Sequence, residues 1–383
     1  MQVMKIAVIS RGWWPSIRGG SEKFTVKVSS GLHSRGHEVV GITRWVLGSP
    51  KPEAQHKLII MRESKVYPLI SSLRFSLWAA RVANELAVDV ILVNSYWGEI
   101  SPLYINRPCA VVIHDLGFLN YGIGSCAHAQ RTNIRFLGKM LRKYVISKVL
   151  KRANAILVPS NTVLSDMLRT FDVNLSKVHV LGFEGVDGPF KKIHIENEWF
   201  DIVHIGRFAS NKGQLVLLKA FYKLARRLPN ARLWLVGAQS IGHTRYLNTV
   251  ISLTKRINMK LGERRVYVIV DAPSVDWYYK IADVCVFPSL SEEGYGLAVL
   301  EAMAYGKPVI CTDIFVATGV ASSERALIIP RNDINALVNA IIKLHDDDKL
   351  REMLSQKGLD YAKLCRWDKV VDRVEKILLS IIS

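Results

Sequence analysis

Two glutamates with seven residues between them have the types and the spacing to act on a ligand. Glu293 lies in a polar loop after a strand-like run that ends at Pro288, and Glu301 lies in a helical pattern that starts near Gly296. Gly294 and Gly296 allow close approach of the backbone, and N–H groups at a helix start can bind an anion. One carboxylate could meet a ligand's outer portion and the other its inner hydroxyls. Alternatively, the glycines only turn the chain and Glu301 is solvated.

The elements that must position these residues are short apolar runs that alternate with longer helix-like segments. The runs are 5–10, 38–43, 57–61, 88–94, 109–115, 155–160 and 178–182, and a second series follows at 200–206, 231–237, 265–270, 283–288, 307–312 and 326–330. Such β-branched runs predict strands buried on both faces, and their alternation with helices predicts doubly wound parallel sheets. We therefore expect an α/β protein with two Rossmann-like domains facing each other across a cleft that binds ligands.

The polar stretch 191–199 separates the two series and is predicted to be the linker. The first domain is expected over residues 1–190 and the second over 191–366. The amphipathic helix at about 367–383 is a candidate to pack back on the first domain.

Composition excludes several classes of protein. The chain has 383 residues, 49% hydrophobic and 22% charged, which is ample for two cores and unlike disordered or disulfide-dense chains. Five scattered cysteines without a C-x-x-C pair argue against a zinc cluster and for the reducing cytoplasm. The first apolar run is too short for a signal peptide, and none reaches the length of a spanning helix. We expect a cytoplasmic protein, at most peripheral on the cytosolic membrane face.

The segment 288–310 closely resembles the E-x7-E signature of the family 4 glycosyltransferases, because P-S, G-Y-G-L and G-K-P-V-I flank the two glutamates. Those enzymes have the GT-B fold and transfer a sugar from a nucleotide donor with retention of anomeric configuration. Further segments match in the expected order, so the resemblance covers nearly the whole chain. They are the glycine-rich loop 15–22, the pair 114–115, the junction 184–190 and the loop 206–213.

The resemblance implies that the second domain binds the donor. Glu301 should accept hydrogen bonds from the ribose hydroxyls, and Glu293, a catalytic residue, should contact hydroxyls of the donor sugar. The loop and helix start that supply Gly294, Gly296 and Leu297 should bring N–H groups near the same sugar. Arg207 and Lys212 should hold the diphosphate, because two cations can neutralise the departing nucleoside diphosphate without a metal. The alternative for that loop is an ordinary strand-to-helix connection with two surface cations.

The first domain is correspondingly the acceptor side. Backbone N–H groups at Gly19 and Gly20 should face the donor phosphate and leave room for the acceptor, although two such glycines alone would more often be a plain turn. His114 should face the transferred sugar as a second catalytic residue. The junction 184–190 is interpreted as a hinge without chemistry. Departures from the family pattern at 270–273 and 313–319 leave open the nucleotide base and the shape of the acceptor side.

The net charge of +19 is concentrated in the first half. Residues 1–187 carry 24 Lys and Arg against 12 Asp and Glu, whereas residues 188–383 carry 28 against 21. No acidic residue occurs between Asp115 and Asp166, and 131–152 interleaves cations with apolar residues. A basic helix with an apolar face is typical of a membrane-surface element, although that face could instead pack on its own sheet. The apolar segment 67–78 is expected to be core.

We therefore expect a retaining hexosyltransferase that moves a hexose-type sugar from a nucleotide-diphosphate sugar to a lipid-linked or glycan acceptor. No cofactor and no metal are expected, since the resemblance implies that glycosyltransferases of this fold hold no metal through a D-x-D motif. The expected partners are the donor, the acceptor and an anionic membrane surface. One alternative is a GT-B enzyme of sucrose- or trehalose-synthase type with a soluble acceptor. Another is a basic nucleic-acid-binding protein, although the cations match no helix-turn-helix, zinc-finger or RNP pattern.

Overall fold

The computed structural model describes residues 2–15, 20–63, 68–95, 99–114, 116, 132–182, 185–239, 244–291, 293 and 295–382. The chain divides into two compact units, Met1–Gly185 with Trp367–Ser383, and Val186–Arg366. The first boundary lies a few residues before the predicted one. The stretch 191–199, predicted as the linker, lies within the second unit, where Ile195 N–H donates to the carbonyl of Lys280 over 3.1 Å.

The first unit is a parallel α/β sheet. Its strands are β1 (Lys5–Ile9), β2 (Glu38–Val46), β3 (Lys57–Glu63), β4 (Val90–Ser95), β5 (Cys109–Ile113), β6 (Ala155–Val158) and β7 (Val178–Val180), in the order β3-β2-β1-β4-β5-β6-β7. Its helices up to this point are α1 (Gly20–Ser34), α2 (Pro68–Glu85), α3 (Thr132–Arg152) and α4 (Asn161–Thr170). Every strand pairing is parallel.

The second unit is also a parallel α/β sheet. Its strands are β8 (Phe200–Ile205), β9 (Ala231–Gly237), β10 (Val266–Val270), β11 (Val284–Phe287), β12 (Val309–Thr312) and β13 (Leu327–Ile329), in the order β10-β9-β8-β11-β12-β13. Its helices are α5 (Gln214–Leu224), α6 (Thr244–Leu261), α7 (Asp276–Ile281), α8 (Leu297–Ala304), α9 (Ile314–Ala317), α10 (Ile334–Asp346) and α11 (Asp348–Leu364). The predicted fold class, two Rossmann-like domains with doubly wound sheets, is confirmed.

The strand order reverses between β1 and β4 in the first unit and between β8 and β11 in the second. In open parallel sheets the crevice outside the carboxyl ends of the strands at such a point binds ligands. The loops that leave β8 and β11 carry the cations at 207 and 212 and the glutamate at 293. The fold thus places those residues where this class of sheet binds its ligands.

The last helix, α12 (Trp367–Ser380), belongs to the first unit and packs on α1. Val370, Val371 and Val374 of its apolar face are buried in the same core cluster as Phe24 of α1. An ion pair adds to this packing: Arg35, which follows α1, lies 2.6 Å from the carboxylate of Glu375 in α12. The amphipathic pattern of this segment therefore reflects packing on its own sheet unit.

Helix α2 differs from the prediction that segment 67–78 is core. Phe75 is fully buried, but Ile70, Leu73 and Leu77 are 51%, 38% and 47% exposed. These three residues follow helical spacing i, i+3, i+7 and so form a stripe on the outer face of the helix. Hydrophobicity alone marked the helix as apolar without indicating which of its faces is covered.

Candidate functional site

The loop after β8 is held tightly against the loop after β11. Gly213 has φ +74°, and a Cβ atom there would lie 2.0 Å from the carbonyl oxygen of Pro288. Only glycine fits such a conformation and so close an approach. Leu290 N–H donates to the carbonyl of Asn211 over 2.7 Å, which fixes the register of the two loops. Gly213, which ends the G-R-x-x-x-x-K-G segment, is thus required by the packing of the two loops, and it also stands directly before α5.

This junction brings together Lys212 and Glu293. The ammonium Nζ of Lys212 donates to both carboxylate oxygens of Glu293, over 2.8 Å to Oε1 and 2.6 Å to Oε2. Ser289 Oγ donates to the same Oε1 over 2.6 Å. The side chain of Glu293 is 7% exposed and that of Lys212 is 19% exposed, so water screens the pair weakly. Lys212 and Glu293, both predicted site residues, thus neutralise each other's charge.

Arg207 lies on the same loop but points outward as an exposed side chain. Its carbonyl oxygen accepts a hydrogen bond from Gln214 Nε2 over 2.9 Å, and Tyr246 OH donates to Gln214 Oε1 over 3.0 Å. The backbone of the loop is therefore braced from α5 and α6. An exposed guanidinium beside a half-buried ammonium is well suited to an anion that arrives from solution.

Helix α8 begins directly after Gly296, which has φ +96°. A Cβ atom at Gly296 would lie 2.7 Å from Cδ1 of Phe315, so this position too requires glycine. The first N–H groups of an α-helix have no acceptor within the helix and carry the positive end of its dipole. The predicted ligand-facing N–H of Leu297 belongs to that first turn.

Glu301 is connected to Tyr279 rather than to the Lys212 pair. Tyr279 OH donates to Glu301 Oε2 over 3.0 Å, and its ring stacks on Tyr305 with centroids 5.0 Å apart. Burial, followed by the charge of Glu301, raises the pKa of Tyr279 well above its usual value, so the hydroxyl stays a donor. Glu301 therefore has one carboxylate oxygen oriented by a rigid buried donor.

In the first unit, His114 follows β5 and heads a chain of hydrogen bonds through Asn94 to Ser10 and Ser21, whose side chains carry no charge; we call it the neutral chain. His114 Nε2 lies 2.8 Å from Asn94 Oδ1, and Asn94 Nδ2 donates to the carbonyl of Ser21 over 3.0 Å and to Ser10 Oγ over 3.3 Å. Because the amide oxygen of Asn94 can only accept, Nε2 of His114 is the donor in this contact. The edge of Phe24 packs against the imidazole at 5.3 Å.

Several predicted residues fall outside the described part of the chain. Gly19 and Gly294 are among them, as are Asp115 and Glu184, whereas Gly20 is the first residue of α1. Ser289, Asn94 and Tyr279 are polar residues of the sites that sequence reasoning missed. Only Asn94 carried a signal, since it is an amide near the end of a run of buried aliphatic residues.

Within the described ranges, no three His, Cys, Asp or Glu side chains converge as metal ligands do. In that part of the chain, Cys109, Cys285, Cys311 and Cys365 are buried and form no disulfide. None of the helices traced there is both long and apolar enough to cross a bilayer.

The sequence matches two family models. Residues 18–182 match the description "Glycosyltransferase Family 4" and residues 189–360 match "Glycosyl transferases group 1". A phosphatidyl-myo-inositol mannosyltransferase of Mycolicibacterium smegmatis is 22% identical over 390 residues, which covers 94% of this chain and 90% of that protein.

Solved structures share the fold of the whole chain. Sucrose-phosphate synthase from Thermosynechococcus elongatus superposes with a TM-score of 0.80 and 22% identity, covering 99% of each chain. Anabaena Alr3699/HepE, solved with UDP and glucose, has a TM-score of 0.75 and 17% identity, covering 98% of this chain and all of that one. At such identities the likeness establishes the fold alone.

Proposed function

Because the chain belongs to the family 4 glycosyltransferases of the GT-B fold, we propose that it transfers a hexose-type sugar from a nucleotide-diphosphate sugar with retention of configuration. The observation that carries this proposal is the weakly screened Lys212–Glu293 pair at the junction of the loops after β8 and β11. A pair of opposite charges at the carboxyl ends of parallel strands can exchange its internal partner for a ligand with both anionic and hydroxyl groups.

The diphosphate supplies the anion in this exchange. Lys212 and the exposed Arg207 bind its oxygens, and the released Glu293 carboxylate accepts hydrogen bonds from hydroxyls of the donor sugar. The first turn of α8, with the N–H of Leu297, adds a positive dipole end. Glu301, oriented by Tyr279, accepts from the ribose hydroxyls. The roles proposed for Lys212, Glu293 and Glu301 thus each rest on a contact within the second unit.

The transfer itself uses the leaving group as the base. The bond between the anomeric carbon and the diphosphate oxygen breaks, and its electron pair stays on the diphosphate, where the two cations stabilise the charge. The acceptor hydroxyl oxygen bonds to the same face of the anomeric carbon, and its proton passes to the departing diphosphate oxygen. The predicted site residues include no enzymic nucleophile, and the two cations supply the charge that a metal would otherwise provide.

A thermal-shift screen with UDP, GDP, ADP and their sugars tests the donor proposal, since a ligand that binds the folded state raises the melting temperature. We expect one base to stabilise the protein with and without EDTA. Arg207→Ala should abolish that shift. Lys219→Ala is the matched control, because it removes one exposed cation from α5. If no nucleotide shifts the transition, the proposal is wrong.

For the acceptor we propose a lipid-linked molecule at the cytosolic face of an anionic membrane. Support comes from α3, where Met140, Leu141 and Tyr144 are 56%, 61% and 61% exposed, while Val149 and Leu150 are buried. At the 100° per residue of an α-helix, the three exposed side chains lie on the face opposite to Val149 and Leu150, so the uncovered part of α3 is an outer face that carries apolar residues. Lys143 and Lys148 are exposed beside the uncovered part, and cations near an anionic leaflet contribute about 1 kcal/mol each.

The exposed stripe on α2 supports the same assignment. Its residues Ile70, Leu73 and Leu77 stand beside exposed Arg74 and Arg81. Both helices bury their other faces in one core cluster of the first unit, so their outer surfaces lie on the same side of that sheet. Two apolar stripes flanked by cations on one side of a sheet suit an interface with anionic lipid.

Co-sedimentation with vesicles tests this assignment. Binding should be strong to anionic vesicles and weak to neutral ones, and Leu141→Ser with Tyr144→Ser should weaken it. Leu175→Ser, at a residue 59% exposed elsewhere in the first unit, is the matched control. Equal binding to both kinds of vesicle, with activity on free sugars, would instead favour the soluble-acceptor enzyme. Salt-dependent binding of DNA fragments would favour the nucleic-acid alternative.

A further inference from the structure

His204 is a buried imidazole in β8, directly beneath the loop that carries Lys212. It is 1% exposed, and its Nδ1 lies 2.8 Å from the carbonyl oxygen of Val286 in the neighbouring strand. A carbonyl oxygen only accepts, so Nδ1 carries the proton and Nε2 presents a lone pair. The orientation of the ring is therefore fixed from one side, and its acceptor faces the other way.

No described residue donates a hydrogen bond to Nε2, although the atom is buried. A buried acceptor without a partner is unfavourable and is uncommon in folded proteins. The atom is directed at the loop above it. A Cβ atom built on Gly206 would lie 3.3 Å from Nε2 and 3.9 Å from Cδ of Lys212. Nε2 of His204 and the stem of Lys212 thus both lie near the same point beside Gly206.

We propose that Nε2 of His204 accepts a hydrogen bond from the Lys212 ammonium when the donor is bound, which makes His204 a positioning residue for the transfer. In the structure, the Lys212 ammonium donates hydrogen bonds to both carboxylate oxygens of Glu293. Once Glu293 turns to the donor sugar, the ammonium needs a new protein contact to stay aligned with the diphosphate. An ammonium has three donors, so it can bind His204 and phosphate oxygens together.

The charge state of His204 suits this role. Burial lowers its pKa to about 4; the hydrogen bond to Val286 acts in the opposite direction, and the nearby Lys212 charge lowers the pKa further. The imidazole is therefore neutral across the ordinary working range of pH. Glu293 neutralises the charge of Lys212, whereas a neutral imidazole holds the ammonium and leaves its full charge to the diphosphate. The contact of Lys212 with Glu293 thus corresponds to the state without donor, and its contact with His204 corresponds to the state with donor bound.

This inference rests on the proposed role of Lys212 in holding the diphosphate, and a double-mutant cycle tests the two separately. The variants are His204→Leu, Lys212→Ala and their combination, and the readout is calorimetric affinity for UDP, GDP and ADP. We expect His204→Leu to weaken binding of the preferred nucleotide about tenfold in the otherwise natural protein. In the Lys212→Ala background the same change should have an effect below about twofold.

The cycle has distinct outcomes. Equal loss in both backgrounds would overturn the inference, since His204 would then act only through packing. Unchanged affinity in Lys212→Ala alone would overturn the proposed diphosphate role of Lys212 itself. Because His204→Leu could impair folding, His204→Gln, which keeps an acceptor, should retain more affinity than His204→Leu. In ¹⁵N spectra the Nε2 resonance should shift when UDP or the preferred nucleotide binds, and an unmoved resonance would contradict the proposal.

Discussion

The strand ends of the two units are built from different kinds of polar contact. In the second unit, β8 and β11 lead to a charged pair, Lys212 with Glu293. In the first unit, β4 and β5 lead to a neutral chain from His114 to Asn94 and on to Ser10 and Ser21. The charges of a weakly screened ion pair are already partly removed from water, so a ligand charge that replaces one partner adds little further desolvation. A neutral chain instead fixes the direction of one imidazole.

We infer from this difference that the two similar sheets serve different tasks in the proposed reaction. In the proposed reaction, the charged pair of the second unit supplies the cation for the departing diphosphate, and the hydrogen bonds of the first unit orient His114. This difference predicts how the two strand ends respond to substitution: changes in the charged pair should alter both binding and turnover, whereas changes in the neutral chain should alter turnover with little effect on nucleotide binding.

The largest expected effect comes from removing the charge of Lys212. Lys212→Met keeps the stem that passes Gly206 but leaves Glu293 buried without its cation, and the diphosphate loses a stabilising contact. We expect turnover to fall by about 10²- to 10³-fold, with a weaker nucleotide affinity, both measured by steady-state transfer and calorimetry. A variant with turnover within about twofold of the natural protein would break the comparison, because the pair would then be structural only.

The next effect concerns a buried charge of the first unit, Glu375 of α12, which lies near the amino end of β2 rather than at the strand ends that carry His114. Although burial raises the pKa of Glu375, hydrogen bonds from Arg35 and His37 hold it below its usual value overall. A carboxyl whose pKa is lower in the folded state stabilises that state above its unfolded pKa. The stabilisation is lost as the pH falls through the folded pKa.

Glu375→Gln should therefore lower the free energy of unfolding by about 2 kcal/mol near neutral pH, by loss of charged hydrogen bonds. The difference from the natural protein should shrink as the solution is acidified, because the natural carboxyl then becomes neutral too. Denaturant titrations at a series of pH values measure this. A difference that stays constant with pH would mean that the contact of α12 with Arg35 is not electrostatic in origin.

The neutral chain is tested by Asn94→Leu, which removes the acceptor that orients His114. Turnover should fall about tenfold, since a hydrogen bond to the imidazole is lost, while nucleotide affinity stays as it was. Asn94→Asp, which retains an acceptor for His114, should recover part of the rate. Equal loss of nucleotide affinity in both variants would contradict the division of tasks between the units.

Sequence reasoning predicted the two sheets because strands buried on both faces leave continuous β-branched runs, such as 155–160 and 200–206. The resemblance to a known family supplied the candidate residues for the chemistry, and their roles stay predictions. The pairing of Lys212 with Glu293 was not predicted, since 81 positions separate them and only the packing of two loops brings them together. Tyr279 and His204 were missed because nothing in their local sequence pattern distinguishes them from core residues.

Exposure was the other property that the sequence could not supply. In α2, Phe75 and Leu77 are two positions apart and similar in hydrophobicity, yet the first is fully buried and the second is 47% exposed. Which face of an apolar helix is covered depends on the elements that pack beside it. Here Phe75 joins the core cluster that also contains Val149 of α3.

The smallest expected effect sharpens the comparison within the second unit, where Tyr279 orients Glu301 much as Asn94 orients His114. Tyr279→Phe keeps the ring that stacks on Tyr305 and removes only the hydroxyl, so nucleotide affinity should weaken about threefold. Tyr278→Phe, the adjacent tyrosine of α7, is the matched control. With a nucleotide that lacks both ribose hydroxyls, the difference between Tyr279→Phe and the natural protein should vanish, because Glu301 then has no ligand group to meet. A difference that persists with the dideoxy nucleotide would place the effect of Tyr279 in the packing of α7, and Glu301 would lose its assignment to the ribose.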